Sequence, residues 1–448
     1  MTDTICALAT APGGALGIIR ISGPQSLEIL SNIFTKDLSK APANSIQYGH
    51  VKDGSEIIDE CMASIFRAPK SYTGEDSAEL SCHGSRYILN KILELLVQQG
   101  CRLAQPGEYT MRAFLNGKLD LSQAEAVADL IASTNQATHR MAMSQLRGGI
   151  SSELASLRNQ LLHLTTLLEL ELDFSDHEDL EFADRTELQE LTRRIQKHIS
   201  QLAESFETGQ AIKQGIPVAI VGKTNVGKST LLNKLLKDDR AIVSDIHGTT
   251  RDTIEEVIDL HGVQFRFIDT AGIRQTTDRI EQIGIDRTYQ AIEKARIVLW
   301  LFDEEPSESE VHDMMERCKG QSLLPIINKI DIDNRHQFSI IKSPIIKISA
   351  KTGQGIDSLE AAIYEAANIS ILGDTDVIVT SARQYQELLR VKEAISRVLN
   401  AIADNLSGDL IAEELKIALE SLATITGQGI ITSQETLNNI FSSFCVGK

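Results

Sequence analysis

Aromatic residues are scarce: 4% of 448 residues, with a single tryptophan. Nine prolines and 29 glycines are too few for a collagen-like or low-complexity chain. The six cysteines (Cys6, Cys61, Cys82, Cys101, Cys318, Cys445) form no CxxC pair. That excludes a zinc knuckle and a disulfide framework, and the expectation is a reduced, cytoplasmic protein. The first Lys or Arg is Arg20, so no basic segment opens a signal peptide. Apolar runs such as Ile297–Phe302 are strand-sized, and no membrane span is expected. Positive charge is also short, with 44 Lys+Arg against 62 Asp+Glu and a net charge of −18. Such a balance argues against coating nucleic acid by bulk electrostatics, although a local basic groove is compatible with it. What is present is 42% hydrophobic residues, enough for real cores, on a chain long enough for about three domains of ~150 residues.

Three zones divide the chain. Residues 1–118 mix short β-like runs, such as Leu16–Ile21 and Met62–Phe66, with one amphipathic helix from about Tyr87 to Gln99, ending at Gly100. This zone reads as α+β. Residues 119–211 are helical: Leu154, Leu157, Leu161, Leu164 and Leu168 keep helical spacing, with Ser151 or Ser152 as N-cap. The same signal returns in 368–448, with Leu388, Leu389, Val391, Ile395 and Leu399, then Leu415, Leu419 and Leu422. Neither helical block can bury its stripe alone, so the two are expected to form one discontinuous helical domain. Between them, in 212–367, strand-type runs at 218–221, 265–268, 297–302, 324–327 and 345–348 alternate with helical stretches. That alternation predicts a mostly parallel α/β sheet.

Residues 222–229 read GKTNVGKS, the P-loop pattern, after a strand and before a helix placed at Thr230–Leu236. Its glycines admit backbone N–H groups to phosphate oxygens; Lys228 reaches the β/γ-phosphates and Ser229 faces Mg²⁺. DTAG at Asp269, Thr270, Ala271 and Gly272 follows a strand; Asp269 can hold Mg²⁺ through water and the Gly272 amide can meet the γ-phosphate. NKID at 328–331 supplies Asn328, Lys329 and Asp331, and the Asp331 carboxylate matches the N1–H and exocyclic amine of guanine. Adenine has no such donor pair, so GTP is the expected nucleotide. Ser349, Ala350 and Lys351 can add a backbone N–H to guanine O6. Four motifs in this order resemble a Ras-like GTP-binding domain. The slot after the DTAG glycine, where many GTPases place a water-orienting Gln, is Ile273. Asn225, inside the P-loop, offers an oxygen that can hold a monovalent cation near the phosphates, and it is equally a residue common in turns. Residues 244–252, SDIHGTTRD, occupy the position of switch I. The acidic run from Glu169 to Glu181 reads as a solvated face and turn, with a metal site as the alternative. His83 reads as structural, and the ten histidines and six cysteines show no metal-ligand spacing.

Further segments carry a family resemblance. GIIRISG (17–23), SYTGED (71–76), PGEYTMRAFLNGK (106–118), LDLSQAEA (119–126), GTTRD (248–252) and the closing IFSSFCVGK (440–448) together resemble the MnmE (TrmE) family of tRNA-modification GTPases over essentially the full length. The resemblance implies an N-terminal α+β domain (1–118) that dimerises and binds 5-formyltetrahydrofolate. It further implies a helical domain split between 119–211 and 368–448, and an inserted Ras-like P-loop G domain (212–367). It implies a homodimer that works with an FAD-binding partner, MnmG (GidA), on C5 of the wobble uridine of certain tRNAs, adding a carboxymethylaminomethyl-type group. It also implies hydrolysis activated by potassium when two G domains pair.

By position, the resemblance assigns K⁺ to Asn225, Ser244, Ile246 and Thr249, and Mg²⁺ to Ser229 and Thr250. Glu281 would orient the hydrolytic water. Arg20, Glu79, Lys118 and Lys448 would bind the folate, and Cys445 would lie near the modification centre. GTP would further meet Val226, Gly227, Lys228 and Thr230. Three features depart from the family pattern: Lys223-Thr224 where it usually has Arg-Pro, His247 in a slot commonly small, and a loop at 11–16 without the usual basic residue. A GTP-controlled RNA or ribosome-assembly scaffold, with hydrolysis as its only chemistry, is the alternative; it has no need of a folate site or a C-terminal thiol.

Overall fold

The computed structural model describes residues 3–174, 185–238, 256–268, 289–332, 340–341, 343–368, 377–404 and 406–427, with Leu437, Ile440, Phe441, Phe444 and Gly447 near the chain's end. Two compact units emerge. One comprises Met1–Ala132, Ala142–Ala203 and Ser381–Lys448; the other comprises Ser133–Met141 and Glu204–Thr380. No described helix is long and apolar enough to cross a membrane.

The first unit opens with a mixed sheet built from β1 (Ile5–Leu8), β2 (Leu16–Ser22), β3 (Ser45–Asp53), β4 (Glu56–Phe66), β5 (Ser77–His83) and β6 (Arg102–Leu103). Their order is β3-β4-β5-β2-β1-β6. All pairs are antiparallel except β1 with β6. Strand β4 shows why the sheet is two-faced: Cys61, Ala63 and Ile65 point into the core while Glu60 and Met62 are exposed. Helices α1 (Ser26–Ile33) and α2 (Arg86–Gln98) close the core, α2 through Leu89, Ile92, Leu95 and Leu96. Helix α3 (Glu108–Leu115) leads into α4 (Leu121–Ala132), and Met111, Leu121, Ala124, Leu437 and Phe441 share a small core. Leu437 and Phe441 therefore pack with residues of α3 and α4.

Then come α5 (Gln136–Leu146), α6 (Gly149–Phe174) and α7 (Arg185–Gln214). Leu154, Leu157, Leu161, Leu164 and Leu168 of α6 are all buried. Helix α6 begins before Ser151 and Ser152, so neither serine caps it; the Ser152 hydroxyl donates to the Gly149 carbonyl at 2.8 Å instead. Helix α7 runs through residues 211 and 212 without a break, because its helical spacing continues past the point where composition changes.

The second unit holds β7 (Ile216–Val221), α8 (Lys228–Asp238), β8 (Glu256–Leu260), β9 (Val263–Phe267), β10 (Ile297–Phe302), α9 (Glu308–Arg317), β11 (Ser322–Ile327), β12 (Ile346–Lys347) and α10 (Ile356–Ala366). The strand order is β12-β11-β10-β7-β9-β8, parallel except for the β8–β9 pair. A central strand such as β10, buried at every residue, reads as a continuous apolar run because both faces are covered. One apolar layer gathers Val218, Leu299 and Ile326; the other gathers Ala219, Trp300 and Ile327. Helix α8 starts at Lys228 rather than Thr230, since the last P-loop residues are already its first turn. Helices α11 (Ala382–Ala403) and α12 (Gly408–Thr426) follow and belong to the first unit. There Arg383 reaches Glu125 at 2.8 Å and Gln196 reaches Ser396 at 3.0 Å. These contacts join the two sequence-separated helical blocks.

Candidate functional site

Parallel order brings the carboxyl ends of β7, β10, β11 and β12 to one side of the sheet, where ligands bind in open α/β folds. At the end of β7 the chain turns through residues 222–227. A Cβ on Gly222 would lie 2.2 Å from the Leu301 carbonyl oxygen of β10. Gly227 has φ 100°, and a Cβ there would lie 2.3 Å from Asn328 Nδ2. Only glycine fits at either point. Asn225 takes φ 63°, a left-handed conformation that asparagine adopts more readily than most residues. Lys228 Nζ donates to the carbonyl oxygens of Gly222 and Lys223, each at 2.7 Å. Burial holds this ammonium below its ordinary pKa. Charged phosphate oxygens are stronger acceptors for it than these neutral carbonyls.

Asn328 ties three loops together. Its Nδ2 donates to the Val226 carbonyl at 2.7 Å, and its Oδ1 accepts the Ala350 amide at 2.9 Å. The side chain is buried, so the P-loop and both base-side loops depend on one amide group. Asp331 accepts a hydrogen bond from the Ser349 hydroxyl at 2.6 Å, and the Thr352 amide donates to that same hydroxyl at 3.2 Å. The Ser349 amide itself donates to Gln354 at 2.9 Å. Sequence reasoning gave this segment a backbone role; geometry adds a side-chain role, aiming the Asp331 carboxylate. Two ion pairs were not read from the sequence. Lys329 Nζ meets Asp303 Oδ2 at 2.7 Å, and Lys223 Nζ meets Glu310 Oε1 at 2.7 Å. The position of Asp303 directly after β10 was the available signal. Ser229 and Thr230 lie in the first turn of α8, and Lys351 follows Ala350 beyond β12. The assigned positions Ser244, Ile246, Thr249, Thr250, Asp269, Thr270, Ala271, Gly272, Glu281, Cys445 and Lys448 lie outside the described residues.

In the first unit, Arg20 and Glu79 are register partners across β2 and β5. Arg20 Nη2 meets Glu79 Oε1 at 2.7 Å, and its Nη1 donates to the Gly447 carbonyl at 3.0 Å. The guanidinium lies 5.7 Å from the Tyr72 ring centroid and 5.6 Å from that of Tyr109, a cation held between two aromatic rings. Neither tyrosine was singled out from the sequence. Lys118 Nζ donates to the Pro69 carbonyl at 3.1 Å, in the segment that leads to Tyr72.

A buried ion network holds that segment in place. Arg112 has no exposed side-chain surface and reaches Asp3 at 2.9 Å, Glu108 at 3.0 Å and Glu75 at 3.2 Å. Burial alone would raise the Glu108 carboxyl; its hydrogen bonds to Arg102, to the Gln105 amide and to Arg112 outweigh this and hold it below its ordinary 4.5. Its folded pKa is thus depressed. Its contribution to stability is complete above the ordinary carboxylate range and is lost as pH falls through the lower folded value. Arg112→Ala takes a cation from three carboxylates, leaving Asp3 and Glu108 with Arg102 alone and Glu75 with none of these arginines, and is expected to destabilise the fold by about 3–5 kcal/mol. Denaturant unfolding at neutral pH checks this, and the deficit should shrink in acid, as pH falls through the depressed pKa of Glu108 and the wild type loses that ion pair too.

Known proteins match at this point. A family model described as the MnmE helical domain matches residues 121–445, and one described as the GTP-binding protein TrmE N-terminus matches residues 4–118. The tRNA modification GTPase MnmE of Phocaeicola vulgatus is 49% identical, covering 100% of this chain and 99% of that one. Its counterpart from Bacteroides thetaiotaomicron is 50% identical, with coverage of 100% and 99%. That from Parabacteroides distasonis is 50% identical, with 100% of both chains covered. With its two domain models and full-length identity near one half, the chain belongs to the MnmE family of tRNA modification GTPases.

Proposed function

We propose that the chain is a potassium-activated GTPase that acts in the cytoplasm as a homodimer. With an FAD-binding partner of the MnmG type, it adds a carboxymethylaminomethyl-type group to C5 of the wobble uridine of certain tRNAs. The observation that carries the nucleotide half of this reading is the Asn328 bridge, which sets P-loop, NKID and SAK segments at one end of one sheet. Family membership supports the tRNA half. On this reading residues 212–367 form the G domain, 119–211 with 368–448 the helical domain, and 1–118 the folate-binding and dimerising domain.

The residues fit the groups they would hold. Lys228 and the loop around it suit phosphate, and Ser229 in the first turn of α8 suits Mg²⁺, with Thr250 as its partner ligand. Asn225 would give K⁺ one oxygen, with Ser244, Ile246 and Thr249 giving others and Glu281 orienting the attacking water. A bound cation at this point supplies positive charge beside the phosphates. Arg20, clamped between Glu79 and two tyrosines beside Gly447, suits an anionic, flat ligand such as a formylated tetrahydrofolate. Lys118 and Lys448 would supply further positive charge, and Cys445, two residues before Gly447, would serve the modification centre.

The test is mass spectrometry of the wobble uridine in tRNA from a strain lacking this gene. Modification should be absent, should return with the wild-type chain, and should return weakly with Asp331→Asn. In vitro, that variant should bind GTP at least tenfold more weakly and accept xanthosine nucleotides, because an amide replaces the acceptor pair that guanine requires. Full modification in the deletion strain would refute the tRNA role. Equal GTP affinity in the variant would refute the base assignment.

A further inference from the structure

Away from both regions, the core-facing row of β4 departs from its own pattern. It reads Asp59, Cys61, Ala63, Ile65, all buried, so an acid and a thiol stand where apolar side chains are the rule. Strand β5 runs antiparallel beside it. Its register, Met62 with Ser81 and Ala63 with Leu80, continues to place Cys82 opposite Cys61. The Asp59 carboxylate and the two Sγ atoms lie within 4.8 Å of one another. Sequence spacing gave no hint of this group, because it forms across a strand pair.

The three side chains already have polar partners, and Cys61 and Cys82 are hydrogen-bonded to each other. Asp59 Oδ2 accepts the His83 amide at 2.8 Å and the Cys61 thiol at 3.7 Å, while Oδ1 lies 2.7 Å from His83 Nδ1. The Cys82 thiol donates to the Gly17 carbonyl at 3.4 Å. The His83 side chain is 67% exposed, so it covers the solvent side of an otherwise buried group. On β5, Cys82 and Glu79 point to opposite faces, which separates this cluster from Arg20 and its tyrosines.

Two thiolates and one carboxylate are a donor set for a borderline-soft divalent ion. Hard cations such as Mg²⁺ take oxygen ligands and would find one here. Around tetrahedral zinc, with sulfur at about 2.3 Å and oxygen at about 2.0 Å, neighbouring ligand atoms stand roughly 3.5–3.8 Å apart. The Asp59–Cys61 spacing of 3.7 Å already meets that. We infer that Asp59, Cys61 and Cys82 bind one zinc ion, with the fourth position taken by water on the His83 side. His83 orients the carboxylate through its ring nitrogen, as outer-shell partners of metal ligands do. Binding releases the two thiol protons to solvent and leaves the oxidation state of every atom unchanged.

The test uses the full chain, reduced and freed of metal, with Co²⁺ as the optical probe. One equivalent of cobalt should give a thiolate-to-cobalt charge-transfer band that zinc then bleaches. Cys61→Ser and Cys82→Ser should each abolish the band. Asp59→Asn, which keeps both thiols, should weaken cobalt binding at least tenfold while retaining the wild-type circular dichroism. Cys6→Ser with Cys101→Ser, in the other buried thiol pair of this sheet core, should leave the band intact. No band in the wild type, a band that survives loss of Cys61 and Cys82, or an Asp59→Asn affinity equal to wild type would overturn the site. A Cys61–Cys82 disulfide that persists under reductant would do the same.

Discussion

Asn328→Ala should weaken guanine-nucleotide binding by about 100-fold. The side chain makes two hydrogen bonds with main-chain groups, to Val226 at 2.7 Å and from Ala350 at 2.9 Å. Alanine leaves both partners without their acceptor or donor in a buried place. Each such loss costs about 1–3 kcal/mol, and a total near 3 kcal/mol is about two orders of magnitude in affinity. The loss would fall on nucleotide binding as well as on stability, because the two bonds hold the P-loop against the base-side loop. Gly227, whose Cβ position is 2.3 Å from Asn328 Nδ2, shows how tightly they meet. Titration with a fluorescent guanine nucleotide measures the affinity, and thermal unfolding of the free chain measures the stability. A variant that loses stability but binds within a few-fold of wild type would show that the bridge serves the fold alone.

The second unit was the most legible part of the chain. Strands β7, β10 and β11 are central and parallel, and burial on both faces writes them as continuous apolar runs. Strand β8 escaped because it is an antiparallel edge: Glu256 and Asp259 break the apolar run, and Val257 is exposed. Strand β5, with the sequence SAELSCH, alternates too weakly for its period to stand out, yet it carries both Glu79 and Cys82. The motif residues were readable because phosphate and guanine dictate residue types at fixed local spacing. What Asn328 and the Ser349 hydroxyl hold was not readable, because those bonds join loops more than fifteen residues apart. Arg20 and Glu79 entered through the family resemblance. That they pair across strands, and that Tyr72 and Tyr109 flank them, depends on strand register and on the path of the 67–76 segment. The Asp59, Cys61 and Cys82 group was hidden for the same reason.

Hydrolysis should be fast in K⁺ and slow in Na⁺, and the difference should run through Asn225. Ile273 cannot orient water in the usual way, and the P-loop carries no arginine finger. In other GTPases such an arginine is worth about 10³–10⁵ in rate, so a cation in that place has a large effect to supply. The structure adds a complication to the obvious variant. Asn225 has φ 63°, where alanine is strained and glycine is not. Asn225→Ala therefore removes an oxygen ligand and bends the loop, whereas Asn225→Gly removes the ligand and leaves the backbone at ease. If the side-chain oxygen holds the cation, both variants should lose the K⁺ preference, and glycine should keep more of the GTP affinity because Lys228 and the loop amides stay in place. If the residue matters only for the turn, the glycine variant should hydrolyse GTP with the wild-type K⁺ preference. Turnover in KCl and NaCl at matched ionic strength separates these outcomes, and equal wild-type rates in the two salts would end the cation mechanism altogether.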